Sequence, residues 1–260
     1  MKSMIYVKKM DGRLQPYDEN KLRRSLKKSG ASKETIKDIL SKVDSILYNG
    51  IETKKLFKFI FQELNKCSPN CSPRYNLKQA IISLGFEGGF VFEKFMGKLF
   101  EKKGYDVKLN QIVRGKNISH EIDVIAIKDK DRIMIEAKHH GKPWLGTDIQ
   151  TALYVYARFL DTNNSFTRPM LVTNTRFSTS VMRYAKGVNL SLMGWKYPKG
   201  NSLEENIEKY KIYPITVLNL PEVVLKRYFE KDIITLEDLQ ATRKLSPEEK
   251  DKINKIMYPS

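Results

Sequence analysis

Three residues in the middle of the chain combine the side chains that a divalent-cation site uses. Asp123 lies within the apolar segment EIDVIAI, and Glu136 and Lys138 end the next apolar segment, RIMIEAK. Because side chains alternate along a strand, Glu136 and Lys138 share one face, about 7 Å apart. Two carboxylates that face each other across neighbouring strands repel unless a cation lies between them, and hard oxygen ligands favour Mg²⁺ or Mn²⁺. The sequence therefore predicts a metal site at Asp123 and Glu136, with Lys138 placed to act on a bound water.

A purely structural alternative is also open for these residues. Asp123 and Lys138 would then form a buried ion pair, with Glu136 at the rim. Three histidines flank the motif, at His120, His139 and His140. We expect the His139–His140 pair to be solvated in a loop, rather than to act as metal ligands or acid–base groups.

The elements that must hold these residues form an antiparallel hairpin between helices. Strands are expected at 106–113, 121–127 and 132–138, with a turn at 129–131. On the second strand, Glu121, Asp123 and Ile125 are predicted to share one face, and Ile122, Val124 and Ala126 the other. Helices are expected at 90–103, 148–160 and 179–186, and further strands at 170–173 and 190–195. This order is typical of an α/β (α+β) fold with a mixed sheet flanked by helices.

The first 85 residues have a different pattern. A strand at 5–8, an Asp-Gly turn at 11–12 and a strand at 14–17 predict a β-hairpin. Helices follow, the first capped by Asp18, the second at 32–48, the third capped by Thr53, and the fourth running from Ser72-Pro73 to about 84. The glycine-rich segment GFEGGF then marks a boundary. We therefore expect a small helical bundle with a hairpin at 1–85, the mixed sheet at 86–200 and a helical tail at 201–260.

The charge of the chain indicates a polyanionic partner. The sequence has 47 Lys and Arg against 30 Asp and Glu, a net charge of +17. Residues 1–85 carry +10 and residues 86–200 carry +8, whereas residues 201–260 carry −1. Such a distribution favours nucleic acid or nucleotide as a partner. A solvated lysine-rich surface is the alternative that charge alone leaves open.

Other features exclude several classes of protein. No apolar run approaches the ~18–20 residues of a membrane-spanning helix, and the N-terminal residues lack a signal-peptide pattern, so no membrane partner is expected. Only Cys67 and Cys71 are present, without a second cysteine pair or a nearby histidine. This argues against a zinc site and favours the reducing cytoplasm.

The spacing Asp123-x12-Glu136-x-Lys138, within a helix–hairpin–helix context, resembles the Mrr-like restriction endonucleases of the PD-(D/E)xK superfamily. The resemblance covers about 86–198 and includes the segments FEKFMGKLFEKKGYDV and IEAKHH. It implies Mg²⁺-dependent DNA cleavage, with the metal held by Asp123, Glu136 and the Ala137 carbonyl, and with Lys138 activating the attacking water. It also implies supporting roles for Glu93 on the first helix and Gln150 on the helix after the motif. Many family members have proline where this chain has Ile122.

The segment YVKKMDGRLQPYDENKLRRSL resembles the ATP-cone, a regulatory nucleotide-binding module. The resemblance covers about 3–85 and implies that ATP or dATP binds as an allosteric effector. The implied contacts are Val7, Lys9, Lys21, Arg24, Thr53, Phe57 and Lys78. Met10 stands where many members have arginine, and the absence of a Walker-type glycine loop argues against hydrolysis. A basic DNA-binding head is the alternative for this segment.

Together these observations predict a nucleotide-regulated, Mg²⁺-dependent DNA endonuclease that acts in restriction or defence. The enzyme is expected to work as a homo-oligomer. A nuclease for branched DNA is an alternative within the same fold. A non-catalytic, nucleotide-responsive DNA-binding regulator is another, although the intact Asp123, Glu136 and Lys138 argue against it. The tail has a weak helix-hairpin-helix resemblance, and a protein contact or a structural cap is equally open.

Overall fold

The computed structural model describes residues 4–162, 164–242 and 245–258, without the side chains of residues 86 and 87. These residues form two compact units. The N-terminal unit contains the described residues of 1–78, 217–219 and 244–260, and the central unit contains those of 79–216 and 220–243. The predicted tail at 201–260 therefore contributes to both units.

The regular elements are named here in chain order. The strands are β1 (Tyr6–Lys8), β2 (Leu14–Pro16), β3 (Ile51–Glu52), β4 (Asp106–Arg114), β5 (Ser119–Lys128), β6 (Asp131–Lys138), β7 (Gly146–Thr147), β8 (Arg168–Thr173), β9 (Arg176–Phe177) and β10 (Ser191–Met193). The helices are α1 (Glu19–Lys28), α2 (Lys33–Ile46), α3 (Thr53–Cys67), α4 (Ser72–Tyr75), α5 (Leu77–Ile82), α6 (Phe90–Lys102), α7 (Ile149–Asp161), α8 (Thr179–Val188), α9 (Leu203–Tyr210), α10 (Glu222–Phe229), α11 (Leu236–Thr242) and α12 (Pro247–Met257). Short 3-10 segments lie at Ser83–Gly89 and Ile215–Leu218.

The N-terminal unit has the predicted hairpin and helices. β1 pairs antiparallel with β2 and parallel with β3, a two-residue strand that the sequence pattern did not reveal. Asp18 caps α1 by accepting from the Lys21 N–H at 3.0 Å, as predicted. The predicted cap at Thr53 is wrong, because α3 begins at Thr53 itself and the Thr53 hydroxyl donates to the Lys8 carbonyl instead. The predicted fourth helix is divided at Asn76 into α4 and α5.

The core of this unit comes from the apolar faces of its helices. α1 packs against α2 and α4, and α2 packs against α3. The buried side chains recur at helical spacing, as at Ile36, Ile39, Leu40 and Val43 of α2. The helices thus form a scaffold beside the small sheet, and their polar faces remain exposed.

The central unit contains a five-stranded mixed sheet in the order β10-β8-β6-β5-β4. β4, β5 and β6 are antiparallel, whereas β6, β8 and β10 are parallel. α6 packs on β4 and β5, while α7 packs on β8 and α8 packs on β10. The predicted α/β class with a mixed sheet flanked by helices is therefore confirmed. The strand that carries Glu136, Ala137 and Lys138 is the middle strand of the sheet.

The predicted alternation along β5 is wrong at Asp123. Ile122 and Ile125 belong to the same buried cluster, although a regular strand would place them on opposite faces. On the neighbouring strand β4, Asn110 lies opposite Asp123 and has a φ of 50°. The pairing of β4 with β5 is interrupted at these two residues. Local irregularities of this kind redirect side chains. Asp123 therefore lies at a break in the regular strand pattern.

The tail residues of the central unit neutralise part of its basic surface. Three lysines that recur every four residues on α6 pair with acidic residues between α10 and the end of α11. The pairs are Lys94–Asp232, Lys98–Asp238 at 2.9 Å and Lys102–Glu237 at 2.6 Å. The Thr216 hydroxyl also donates to the Ala80 carbonyl at 2.8 Å. This face of α6 is consequently not a free cationic surface for a polyanion.

Within the part of the chain that the structure describes, no helix combines the length and the apolar character needed to span a membrane.

Candidate functional sites

An open cavity of about 340 Å³ brings together β5, β6 and α7 in the central unit. Two of the predicted metal ligands, Asp123 and Glu136, line it. The other lining residues are Ile118, Ser119, His120, Glu121, Tyr154 and Arg158. The cavity therefore has an acidic floor with a cationic and aromatic wall supplied by α7.

Asp123 is held by the main chain of the neighbouring strand. Its carboxylate accepts a hydrogen bond from the Ala137 N–H at 2.8 Å. Burial raises the pKa of Asp123, while the Ala137 N–H and the nearby Arg158 oppose the rise. This contact places the Ala137 main chain directly beside the Asp123 carboxylate.

Glu136 is paired with a buried arginine from α7. The Arg158 Nη1 donates to the Glu136 Oε2 at 2.5 Å, and the two side chains are 7% and 18% exposed. The Arg158 Nε is buried and has no hydrogen-bond partner among the described residues. Burial, and then the charge of Asp123, raise the pKa of Glu136 to about 7 against the opposing effect of Arg158. One guanidinium therefore does not fully offset the negative charge gathered here.

A third carboxylate reaches the same region from α6. Burial raises the pKa of Glu93 to about 7, and the charges of Asp123, Glu136 and Glu121 add to this effect. Glu93 lies in the first turn of its helix. Carboxylates that converge in a half-buried place resist ionising together unless a cation compensates them. The arrangement of Glu93, Asp123 and Glu136 thus favours cation binding.

The chemistry of this donor set fits a hard divalent cation. Carboxylate and carbonyl oxygens are the ligands that Mg²⁺ and Mn²⁺ prefer, and Mg²⁺ usually needs only one or two protein carboxylates. Among the described residues, no group of three or more His, Cys, Asp or Glu side chains is arranged to hold a metal ion. The set of two carboxylates and the Ala137 carbonyl that the sequence analysis names stays a prediction.

Two further predicted residues lie outside the cavity wall. Lys138 is exposed at the end of β6, and its charge lowers the pKa of both Asp123 and Glu136. Gln150 is exposed in the first turn of α7 and is not among the described residues that line the cavity. Lys138 is thus electrostatically connected to the carboxylates, whereas the role of Gln150 stays a prediction.

The residues that the sequence reading missed lie on α7. Tyr154 and Arg158 line the cavity and follow Gln150 at intervals of four residues. Positions i, i+4 and i+8 lie on the same side of a helix. A single arginine in the otherwise apolar run ALYVYARFL was the available signal, since a charged residue there requires a partner.

The flanking histidines are packed rather than solvated, so that expectation is wrong. The His139 Nε2 lies 3.2 Å from the Ile81 carbonyl, and the ring packs edge-on against Phe92. The His140 Nε2 lies 3.0 Å from the Thr147 hydroxyl. Burial lowers the pKa of both histidines. Their contacts hold the segment after β6 in place.

A second cavity, of about 280 Å³, lies in the N-terminal unit. It contains five of the residues implied as nucleotide contacts: Val7, Lys9, Lys21, Thr53 and Phe57. Phe57 forms part of an aromatic stack, with ring centroids 5.3 Å from Tyr75 and 6.2 Å from Phe61. An adjacent depression of about 310 Å³ shares Lys9 and Thr53 and adds Lys8 and Lys54. An aromatic pocket therefore adjoins a cationic depression.

The cations of this pocket repel one another as the carboxylates of the central unit do. Burial, and then the charge of Lys21, lower the pKa of Lys9. α3 begins at this place without a side-chain cap. Free N–H groups at a helix start and converging lysines are both suited to phosphate oxygens. The arrangement thus favours an anion beside Lys9 and Thr53.

The two remaining predicted contacts lie elsewhere. Arg24 is exposed, with its guanidinium 3.9 Å from the Asp18 carboxylate, and does not line the pocket in the described residues. Lys78, on α5, is also outside the pocket lining. Tyr17, which sequence reading did not select, lines the pocket with a buried hydroxyl that lacks a hydrogen-bond partner among the described residues.

Comparisons with known proteins match two separate ranges of the chain. A model of the Mrr_cat restriction endonuclease family matches residues 87–196, and a model of the ATP cone domain matches residues 5–74. An uncharacterized protein from Archaeoglobus fulgidus is 39% identical over 145 residues, which are 55% of this chain and 83% of that protein. The chain belongs to the Mrr_cat restriction endonuclease family and carries an ATP cone domain.

Solved structures add the fold of a relative. The crystal structure of a protein of unknown function, AF1548, is 33% identical, with a TM-score of 0.57 over 66% of this chain and 99% of that one. A structure of the MspJI restriction endonuclease in complex with a 27-mer oligonucleotide gives a TM-score of 0.34 at 15% identity, over 47% of this chain and 29% of that one. The latter overlap is too small to support an argument about this chain.

The two matched ranges coincide with the two cavities. Glu93, Asp123, Glu136 and Lys138 lie in the Mrr_cat range, and Val7 to Phe57 lie in the ATP cone range, which ends before Lys78. The chain thus joins a restriction-endonuclease-like domain to a domain of the nucleotide-binding ATP cone type.

Proposed function

We propose that this protein is a divalent-metal-dependent DNA endonuclease whose activity is controlled by ATP or dATP bound to its ATP cone. The observation that carries the proposal is that Asp123 and Glu136 line one cavity at the β5–β6 hairpin, with Glu93 close enough for their charges to raise its pKa. Such an arrangement is costly for folding unless it serves a cation. The Mrr_cat match supports a nuclease as the enzyme that uses it.

Each residue has a distinct role in the proposed reaction. Asp123, Glu136 and the Ala137 carbonyl would hold Mg²⁺ or Mn²⁺, and Glu93 would support them from α6. When bound, the metal would supply Lewis-acid stabilisation of charge on the phosphate and a more acidic water. Lys138 would orient the attacking water from the exposed end of β6. Arg158 keeps the Glu136 carboxylate in one orientation through its 2.5 Å hydrogen bond.

The DNA partner is supported by charge as well as by family. The excess of positive charge lies in residues 1–200, whereas residues 201–260 carry −1. DNA binding should weaken steeply with salt, because each neutralised phosphate contributes a log–log slope of about −0.9. The proposed location is the reducing cytoplasm, which agrees with the free thiols of Cys67 and Cys71.

Cleavage of both strands requires two active sites, so we propose a homo-oligomer whose assembly responds to nucleotide. An effector shifts such an equilibrium only by its differential affinity for the two states. In this proposal Lys9 and Lys21 would hold the phosphates and the Phe57 stack would hold the base, which is supported by their common cavity. The restriction or defence role follows from family membership alone.

The catalytic half is tested by a cleavage assay on plasmid DNA with Mg²⁺, Mn²⁺ or Ca²⁺. Asp123→Ala and Glu136→Ala should abolish cleavage, while binding in Ca²⁺ is retained. Lys138→Ala should also abolish cleavage and retain metal binding. Glu101→Ala, an exposed acid on the same helix as Glu93, is the matched control and should cleave normally. Full activity of the Asp123→Ala protein would contradict the assignment.

The regulatory half is tested separately by calorimetry and light scattering with ATP and dATP. Both nucleotides should bind without hydrolysis, and at least one should change the oligomeric mass and the cleavage rate. A Lys9→Ala, Lys21→Ala double variant should lose the response, whereas Lys37→Ala, an exposed lysine on α2, should keep it. Absence of binding at millimolar nucleotide would refute the sensor, and binding without a change in mass or rate would refute the control.

A further inference from the structure

Exposed apolar side chains stand at the mouth of the cavity that contains Asp123 and Glu136. Tyr154 is 58% exposed and Ile118 is 64% exposed, and both line this cavity. Leu153, the neighbour of Tyr154 on α7, is 45% exposed. Isolated exposed apolar residues are common in proteins. Their position beside the acidic floor of the proposed active site is what requires an explanation.

The ring of Tyr154 is held in place from one side. The Arg158 guanidinium lies over the ring, 5.0 Å from its centroid. Arg158 is itself fixed by the hydrogen bond to Glu136. One face of the ring is thus occupied by a buried cation, while more than half of the side chain remains open to solvent. A ring held in this way is a prepared surface for stacking.

Ile118 is presented by a fixed turn rather than by a loose loop. The Asp161 carboxylate accepts from the N–H groups of Asn117 and Ile118, at 3.0 and 3.2 Å. The same carboxylate lies 2.8 Å from the His120 Nε2, and Gly115 N–H donates to the Ile118 carbonyl at 2.8 Å. The turn between β4 and β5 is therefore tied to the end of α7. The exposed position of Ile118 is a property of this built turn.

We propose that Tyr154 and Ile118 form a stacking rim for an unpaired nucleobase next to the scissile phosphate. This inference rests on the proposed nuclease function and names its substrate class: DNA with an unpaired nucleotide at the cleavage point, as at a flap or bulge. In an intact duplex the bases stack on each other, so a base can stack on an aromatic side chain only after it has left the helix. A base that is already unpaired avoids that cost.

The size of the effect follows from stacking one base. Base–aromatic stacking contributes about 1–3 kcal/mol, which corresponds to about a 5- to 150-fold difference in affinity. The enzyme should therefore bind a flap or bulge substrate about 5- to 150-fold more tightly than the matched duplex. The aromatic ring carries this preference, so Tyr154→Phe should keep it and Tyr154→Ala should lose it.

The test uses the full-length protein and one DNA sequence in two forms, a duplex and the same duplex with a three-nucleotide bulge containing 2-aminopurine. Binding in Ca²⁺ should quench the 2-aminopurine fluorescence, because the base stacks on the ring. Tyr154→Ala should bind the bulge as weakly as the duplex and lose the quenching, and Tyr154→Phe should retain both. Leu160→Ala, 62% exposed on the same helix but outside the cavity lining, is the matched control.

Two outcomes would overturn the inference while leaving the nuclease proposal intact. One is equal binding and cleavage of duplex and bulge by the wild-type protein. The other is unchanged quenching and selectivity in Tyr154→Ala; Ile118→Ala, which changes the rim from a different element, should weaken both. By contrast, failure of the wild-type protein to bind or cut any DNA would refute the proposed function itself.

Discussion

The carboxyl of Glu93 should destabilise the metal-free protein at neutral pH, and Glu93→Gln should remove this cost. Glu93 has a pKa of about 7 against an ordinary value of 4.5, first because it is buried and then because Asp123, Glu136 and Glu121 repel its charge. Glutamine has the same shape and no charge. The variant should therefore fold more stably than the wild type above pH 7 and lose any role that Glu93 has in cleavage.

The magnitude follows from proton linkage. The folded pKa lies above the unfolded one, so between pH 4.5 and pH 7 the folded protein binds the proton more tightly than the unfolded chain. The destabilisation that Glu93 causes is therefore absent below pH 4.5 and grows as the pH rises toward 7. At about 1.36 kcal/mol per pKa unit, the full shift corresponds to roughly 3 kcal/mol, and because Glu93 is only half-buried, solvent screening reduces the loss to about 1–2 kcal/mol. At about 2–4 °C per kcal/mol, the variant should melt about 2–8 °C higher at pH 8.

Thermal unfolding in EDTA at pH 4.5 and pH 8 measures this difference. Both tryptophans of the chain, Trp144 and Trp195, lie in the central unit, so their fluorescence reports its unfolding. Glu101→Gln, on the same helix and exposed, controls for a general effect of charge. Added Mg²⁺ should stabilise the wild type more than the Glu93→Gln variant. Equal melting temperatures of wild type and variant at pH 8 in EDTA would refute the reasoning.

Three further predictions concern other contacts. Arg158→Ala should lower the free energy of unfolding by about 3–5 kcal/mol, because the Glu136 carboxylate then stays buried without its partner. In urea titrations, Glu136→Gln in the same background should recover part of this loss. An unchanged denaturation midpoint for Arg158→Ala would contradict the prediction. Although burial opposes it, hydrogen bonds from His120, Ile118 and Asn117 hold the pKa of Asp161 at about 2. The Asp161→Asn variant should therefore melt at a lower temperature than the wild type at pH 6. This difference in melting temperature should shrink as the pH falls from about 4 toward 2. A difference that does not change with pH would argue against an ionised Asp161 carboxylate as the acceptor. Phe57→Ala should weaken ATP or dATP binding by roughly 1–3 kcal/mol in calorimetry, and equal affinity would mean that the base does not use the aromatic stack.

The fold class and the resemblance to two families were predictable from the amino-acid sequence. The hairpin at 6–16 was readable from an Asp-Gly turn between short strands, and the start of α1 from Asp18, because these signals act within a few residues. The pair of strands that carries Asp123 and Glu136 was readable from apolar alternation and the turn at 129–131. The motif on these strands then identified the candidate carboxylates, which are the residues whose types a metal site requires.

The surroundings of those carboxylates became visible only in the folded protein. Arg158 lies 22 positions from Glu136, and the Lys94–Asp232 pair spans 138 positions, so no local pattern relates these partners. The break at Asp123 lies opposite Asn110 of the neighbouring strand, and His139 packs against Phe92 and Ile81. Periodicity predicts which face of an element is buried, but the identity of the opposing side chain is set by packing between distant segments. For that reason the types of the candidate site residues were predictable from the chain, whereas the positions of Arg158 and Tyr154 beside them were not.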